Sequence, residues 1–174
     1  MAYLVVAYPE IGQNNFDLIQ SYRKDNDELY YSVAEPHFTI VFPVFDFSES
    51  LFLEEIADRV KNIDRINFVI RCASINKDTF SEYFHTFLVP DEGNSKIVKA
   101  HDKLYSGQLK DNLRLDIDFI PHIGIGNSKD KLHCKQMVDK WNETDFEIAG
   151  IISSLTIIKY ETNIVARLKE INLK

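Results

Sequence analysis

The sequence predicts an α+β domain made of two pseudo-symmetric halves with mainly antiparallel sheets. Three observations carry this expectation. First, Pro36-His37-Phe38-Thr39-Ile40 is echoed by Pro121-His122-Ile123-Gly124-Ile125, and the two histidines stand 85 residues apart in a chain of 174. Second, each copy sits in a similar order of strand, helix and strand patterns. Third, further strand-like runs come in adjacent pairs split by short polar turns, as hairpins require. With 45% apolar and 27% charged residues, the chain has the balance of one globular domain with a substantial core.

Taken in order, residues 3–8 read as a first strand stopped by Pro9. Phe16 to Arg23 reads as an amphipathic helix with Asn15 as N-cap, ended by Asp25-Asn26-Asp27. Residues 29–42 form a strand that carries the first histidine motif and stops at Pro43. Residues 48–62 are the clearest helix: Ser48 or Ser50 caps it, and Leu51, Phe52, Ile56 and Val60 make its buried stripe. Strands 66–75 and 80–89 follow around the turn Asn76-Lys77-Asp78, and Pro90 to Gly93 marks a seam too short for a domain linker.

The second half opens with a helix over 95–105, where Ile97, Val98, His101 and Leu104 face inward. Residues 113–126 form the strand with the second motif. A helix over 128–142 buries Leu132, Met137, Val138 and Trp141. Strands 146–160 and 164–173 close the chain, joined by Glu161-Thr162-Asn163, an apt hairpin turn.

Charge and composition exclude several function classes. A net charge of −7 leaves no broad basic footprint for duplex nucleic acid, although a small nucleotide or an RNA end needs only a few local donors. No apolar run approaches bilayer-spanning length, and no basic segment followed by an apolar stretch opens the chain, so neither a membrane span nor a leader is expected. Cys72 and Cys134 lie far apart without CxxC spacing, which fits reduced thiols in a cytoplasmic protein.

The histidine motifs carry the chemistry. Successive strand residues point to opposite faces, so His37 shares a face with Thr39, and His122 with Gly124. Imidazole, with an unperturbed pKa of about 6.5, supplies both base and acid near neutrality. Two of them brought together suit acid–base work on a phosphodiester. Thr39 has a hydroxyl to offer a nonbridging phosphate oxygen, whereas Gly124 has only its backbone N–H. His85, on an alternating strand, and His101 and His133, on the helices, read as structural or surface residues. Two strand histidines fall short of a catalytic zinc site's usual three protein ligands, and there is no HExxH, P-loop or GxGxxG segment, so no metal or cofactor is expected.

The paired motifs, with the opening strand and the closing hairpin, resemble the two-histidine (2H) phosphoesterase superfamily, most closely its 2′-5′ RNA ligase-like and cyclic phosphodiesterase branch. That family carries two His-x-Ser/Thr-x motifs. His37-Phe38-Thr39-Ile40 fits fully, and His122-Ile123-Gly124-Ile125 keeps the histidine without the hydroxyl. The resemblance implies a bilobal fold, with two mainly antiparallel sheets lining a central cleft and helices outside. It implies metal-free, cofactor-free opening or closing of 2′,3′-cyclic or 2′-5′ phosphodiesters, with His37 and His122 as the acid–base pair, the order of roles left open. Thr39 and the Gly124 backbone would hold the phosphate. Tyr160 and Lys159 are candidate substrate contacts, or ordinary strand-end residues. The expected partner is an RNA terminus or small nucleotide, met by a cytoplasmic monomer. Two rivals stand beside this reading: a binding protein that kept the cleft without turnover, and a phosphodiesterase for cyclic oligonucleotides or nucleotide-sugar cyclic phosphates.

Overall fold

The apolar run that opens the chain becomes β1 (Ala2–Ala7), buried along almost its whole length, as a central strand must be. A computed structural model describes all 174 residues, Met1–Lys174. After β1 come β2 (Glu10–Ile11), α1 (Gln13–Asn26), β3 (Phe38–Val44), α2 (Glu49–Val60), β4 (Ile66–Lys77), β5 (Phe84–Glu92) and α3 (Asn94–Leu104). A single 3-10 turn at Lys110–Asn112 leads to β6 (Ile123–Ser128), α4 (Lys131–Asn142), β7 (Ile148–Ile152), β8 (Ser154–Glu161) and β9 (Ile164–Asn172).

The strands form two sheets, of order β3-β1-β8-β9 and β2-β7-β4-β5-β6. Every pairing is antiparallel. The architecture is the expected α+β one. Each sheet takes strands from both sides of residues 90–93, so the chain crosses between sheets several times. The core is shared as well. One cluster of 31 buried residues spans both sheets, and Phe38 of β3 meets Phe68 of β4 edge-on at 5.1 Å between ring centroids. Helix α4 packs on β4 and β5, α1 against β6, and α3 against β3. The strands that follow the two histidines, β3 and β6, each lie at one edge of their sheet.

Several boundaries differ from the sequence expectation, each for a physical reason. Helix α1 starts a turn earlier, and its N-cap is Gly12, which makes no side-chain cap; Asn15 lies inside the first turn with its N–H on the Gly12 carbonyl at 2.9 Å. The strands expected over 29–42 and 113–126 are shorter. Residues 29–37 and 113–122 are turns and irregular chain, so each histidine stands just before its strand, not within it. Pro43 lies inside β3 and does not end it, which an edge strand tolerates because its outer N–H needs no partner. Pro90 lies inside β5 for a related reason: β6 pairs only with residues 84–88, leaving that flank of the strand open.

Between β4 and β5 the turn falls later than expected, at 78–83, where Asp78 Oδ1 accepts the Phe80 N–H at 2.6 Å and the Ser81 N–H at 2.8 Å. On α4, Asp130 caps the start by accepting the Leu132 N–H at 2.8 Å, and Leu132 faces solvent while Met137, Val138 and Trp141 are buried. The strand expected over 146–160 is two strands. Ser153 breaks it, and the chain passes from the second sheet to the first. The closing hairpin turns on Thr162 and Asn163, both at positive φ (49° and 63°), the geometry of a two-residue turn matched to strand twist.

Candidate active site

Both histidines are set by the same local device. At each, Pro precedes His, the strand begins at the next residue, and the ring folds back onto the carbonyl two residues upstream. His37 Nδ1 lies 2.7 Å from the Glu35 oxygen, and His122 Nδ1 lies 2.6 Å from the Ile120 oxygen. A carbonyl only accepts, so in both rings Nδ1 carries the proton and donates it. The nitrogen left for chemistry is therefore Nε2 in both.

The two rings line one cleft, with a cavity of about 400 Å³. Strand alternation brings Thr39 into the same cleft beside His37, and Gly124 beside His122. Phe38, Ile40, Ile123 and Ile125 point the other way and are fully buried. At Gly124 an added Cβ would meet nothing within 4 Å. Tyr160 lines the cleft and donates its hydroxyl to Asn163 Oδ1 at 2.6 Å. Lys159, its neighbour on β8, is not part of the lining, because the next residue along a strand faces away.

Three further groups stand in the cleft that the sequence did not single out. The first is His85, read from sequence as structural or surface. Its Nε2 lies 3.1 Å from Asp78 Oδ2, and because a carboxylate only accepts, Nε2 carries that proton. Its ring belongs to a row of near-parallel rings along the wall: Tyr30 to His85 at 6.3 Å, His85 to Phe87 at 5.8 Å, and Phe87 to His122 at 3.5 Å. The second is Phe87, which fixes the plane of the catalytic candidate His122. The sequence signal for both was present, since His85 and Phe87 share one face of a strand paired with the second motif.

The third is a buried polar knot. Arg23, 2% exposed, holds Asp27 through Nε at 3.0 Å and Nη2 at 2.9 Å, and donates to Gln20 and to the Tyr30 carbonyl. Asp27 in turn accepts from the Tyr30 N–H and from Asn127 Nδ2. The knot ties the end of α1, the segment before His37 and the end of β6 into one wall. Sequence periodicity read Arg23 only as part of a helix face and gave no sign of its burial.

Burial dominates the electrostatics. Desolvation pushes the His37 pKa below its ordinary value, and lowers His122 to about 4, with the charges of His37 and His85 adding to the effect. Lowered from the ordinary value in this way, both rings are neutral at pH 7. A bound phosphate monoanion would raise both, because an opposite charge favours the protonated form. No group of three or more His, Cys, Asp or Glu side chains converges closely enough to hold a metal ion.

Comparison with known proteins gives concordant results. The family model described as the 2′-5′ RNA ligase superfamily matches residues 9–164. A Bacillus licheniformis protein named "Putative phosphoesterase" is 27% identical over 128 residues, covering 72% of this chain and 70% of the relative. Among solved structures, TT0787 of Thermus thermophilus aligns with a TM-score of 0.64 at 10% identity, covering 99% of this chain and 98% of that one. Escherichia coli LigT complexed with 3′-AMP gives a TM-score of 0.57 at 11% identity, covering 99% and 97%. Usb1 of Kluyveromyces marxianus gives 0.56 at 8% identity, covering 96% and 97%. At such identities the structural likeness speaks for the fold.

Proposed function

The chain belongs to the 2′-5′ RNA ligase superfamily, whose model spans residues 9–164, and from that premise we propose that it is a metal-independent phosphodiesterase that opens 2′,3′-cyclic or 2′-5′ phosphodiesters by two-histidine acid–base catalysis. The observation that carries the reading is the matched anchoring of His37 and His122, which leaves two Nε2 atoms free in one cleft. One neutral Nε2 takes a proton from water as the oxygen attacks phosphorus. The other, protonated once the anionic phosphate is bound, gives its proton to the departing ribose oxygen. One P–O bond forms, one breaks, and the ring charges exchange. The same steps in reverse close the bond.

Thr39 donates its hydroxyl to a nonbridging oxygen, where charge grows in the transition state. The cleft volume of about 400 Å³ lies in the range of small-molecule sites, and LigT, of the same fold, has been solved with 3′-AMP bound. Gly124 favours one second reading: where the family pattern has a hydroxyl, this chain has none, as in a protein that binds nucleotides without turning them over. Incubation with a 2′,3′-cyclic nucleotide in excess chelator separates the two. The phosphodiesterase yields a nucleoside monophosphate; the binding protein retains the cyclic compound and yields nothing.

A further inference from the structure

The irregular segment that delivers His37 has few fastenings. It turns on Tyr30, whose carbonyl accepts the Val33 and Ala34 N–H groups at 3.0 and 3.1 Å and the buried Arg23 guanidinium at 3.0 Å. Beyond Ala34 no backbone hydrogen bond holds the chain until β3 begins at Phe38. What holds it there is one side chain: Glu35 Oε2 accepts from Arg167 Nη2 at 2.7 Å. Glu35 is also the residue whose carbonyl keeps the His37 proton on Nδ1. Arg167 comes from the edge strand β9, where its register partner Ile158, and Val165 two residues back, both line the cleft. Arg167 itself is not part of the lining. Its guanidinium lies 4.2 Å over the Tyr8 ring, and that ring stands 5.9 Å from the His37 ring between centroids.

We propose, on the phosphodiesterase reading above, that Arg167 is a positioning residue for His37: one guanidinium ties Glu35, which fixes the tautomer of the ring, to Tyr8, which backs it. Arginine suits the task because its planar fork bonds a carboxylate while its face stacks on an aromatic ring, which an ammonium cannot do. Loosening Glu35 has two consequences. The ring gains freedom to swing away from the phosphate, and Nδ1 loses the acceptor that keeps its proton there. A proton that migrates to Nε2 removes the lone pair that a base needs at that atom. The two catalytic rings thus share one carbonyl device but are backed differently. His122 is stacked on Phe87 at 3.5 Å, from the neighbouring strand, whereas His37 depends on an ion pair whose side chains are 58% and 55% exposed. A pair so exposed adds little to global stability, so its loss should be read in the ring and in turnover, and hardly in the melt.

The test compares Arg167→Ala, Arg167→Lys and Glu35→Gln with the wild type in three measurements: a thermal melt, kcat and KM on adenosine 2′,3′-cyclic phosphate, and the ¹⁵N signals of the His37 ring, assigned with His37→Gln. The ring is observed at about pH 8, where it is neutral. Arg167→Ala should melt as the wild type does, lose on the order of tenfold in kcat with KM little changed, and show a mixture of ring tautomers where the wild type shows Nδ1–H alone. Glu35→Gln should match it, the two changes together should cost little more than either, and Arg167→Lys should fall between. An Arg167→Ala protein with unchanged kcat and ring signals overturns the proposal. So does a raised KM at unchanged kcat, which would make Arg167 a direct substrate contact, and so does a loss of kcat with the ring signals unmoved. If the wild type turns over no cyclic nucleotide while the ring still changes tautomer on losing Arg167, the clamp on His37 stands and the phosphodiesterase reading falls.

Discussion

Replacing Gly124 by Ser adds the hydroxyl that the second motif lacks, at a position where the structure leaves room for it. The new Cβ meets nothing within 4 Å, so no neighbour must move. A fully preorganised donor to a developing oxyanion is worth about 3 kcal/mol. The openness that admits the side chain also leaves its rotamer unheld, and fixing one of three staggered wells costs roughly 0.5–1 kcal/mol. With imperfect aim, a net gain of about 1–2 kcal/mol remains, or on the order of tenfold in kcat. The fold should tolerate the change, since glycine inside a strand is itself a local weakness of about 0.5–1 kcal/mol.

Steady-state hydrolysis of one 2′,3′-cyclic nucleotide, beside a thermal melt, measures both effects. Thr39→Ala in the same assay should lose on the order of 100-fold. Gly126→Ser is the contrasting control, because a Cβ there would sit 2.8 Å from Met137 Sδ, and its melt should fall. A Gly124→Ser protein that melts normally but turns over more slowly would refute the reasoning and show that substrate occupies that space. A silent Thr39→Ala would remove Thr39 from the phosphate site.

Other consequences follow from burial and from the donor set. With His122 held at about 4 when folded and at about 6.5 when unfolded, only the unfolded chain binds its proton between those pH values. Stability therefore rises with pH across that window and is lost as pH falls through it, by at most roughly 3 kcal/mol from this ring. Urea unfolding at pH 7 and pH 4.5 should show a smaller loss for His122→Gln than for the wild type; an equal loss would contradict the assignment. Because burial holds both rings below their ordinary pKa, kcat/KM should peak below pH 6.5, and a peak above pH 8 would count against it. Turnover should be unchanged by chelator, and its abolition would point to a metal.

The face of each motif strand was legible in the sequence because a two-residue period fixes which side chains travel together. His37 with Thr39, and His122 with Gly124, followed from that alone. Where the strands begin was not legible. Residues 29–37 and 113–122 have strand-like composition, and the rings are held by carbonyls two residues upstream, which no periodicity reports. The passage from β7 to β8 was hidden for a similar reason: the apolar run continues through Ser153 while the chain changes sheets. His85 was undervalued because its significance lies in Asp78 and Phe87, brought to it by the hairpin and the strand pairing. Arg23 and Asp27 looked like a polar helix end, and only tertiary closure buries them. Local pattern gave faces; distant partners gave the wall.

The central claim is that His37 and His122 act as one unit on one phosphate, and a double-mutant cycle on kcat tests it most directly. Each Ala variant should lose on the order of 10²–10⁴-fold in hydrolysis of a 2′,3′-cyclic nucleotide, and the double variant little more than either, since neither ring completes proton transfer without the other. Losses that are small, or that multiply in the double variant, would contradict the account.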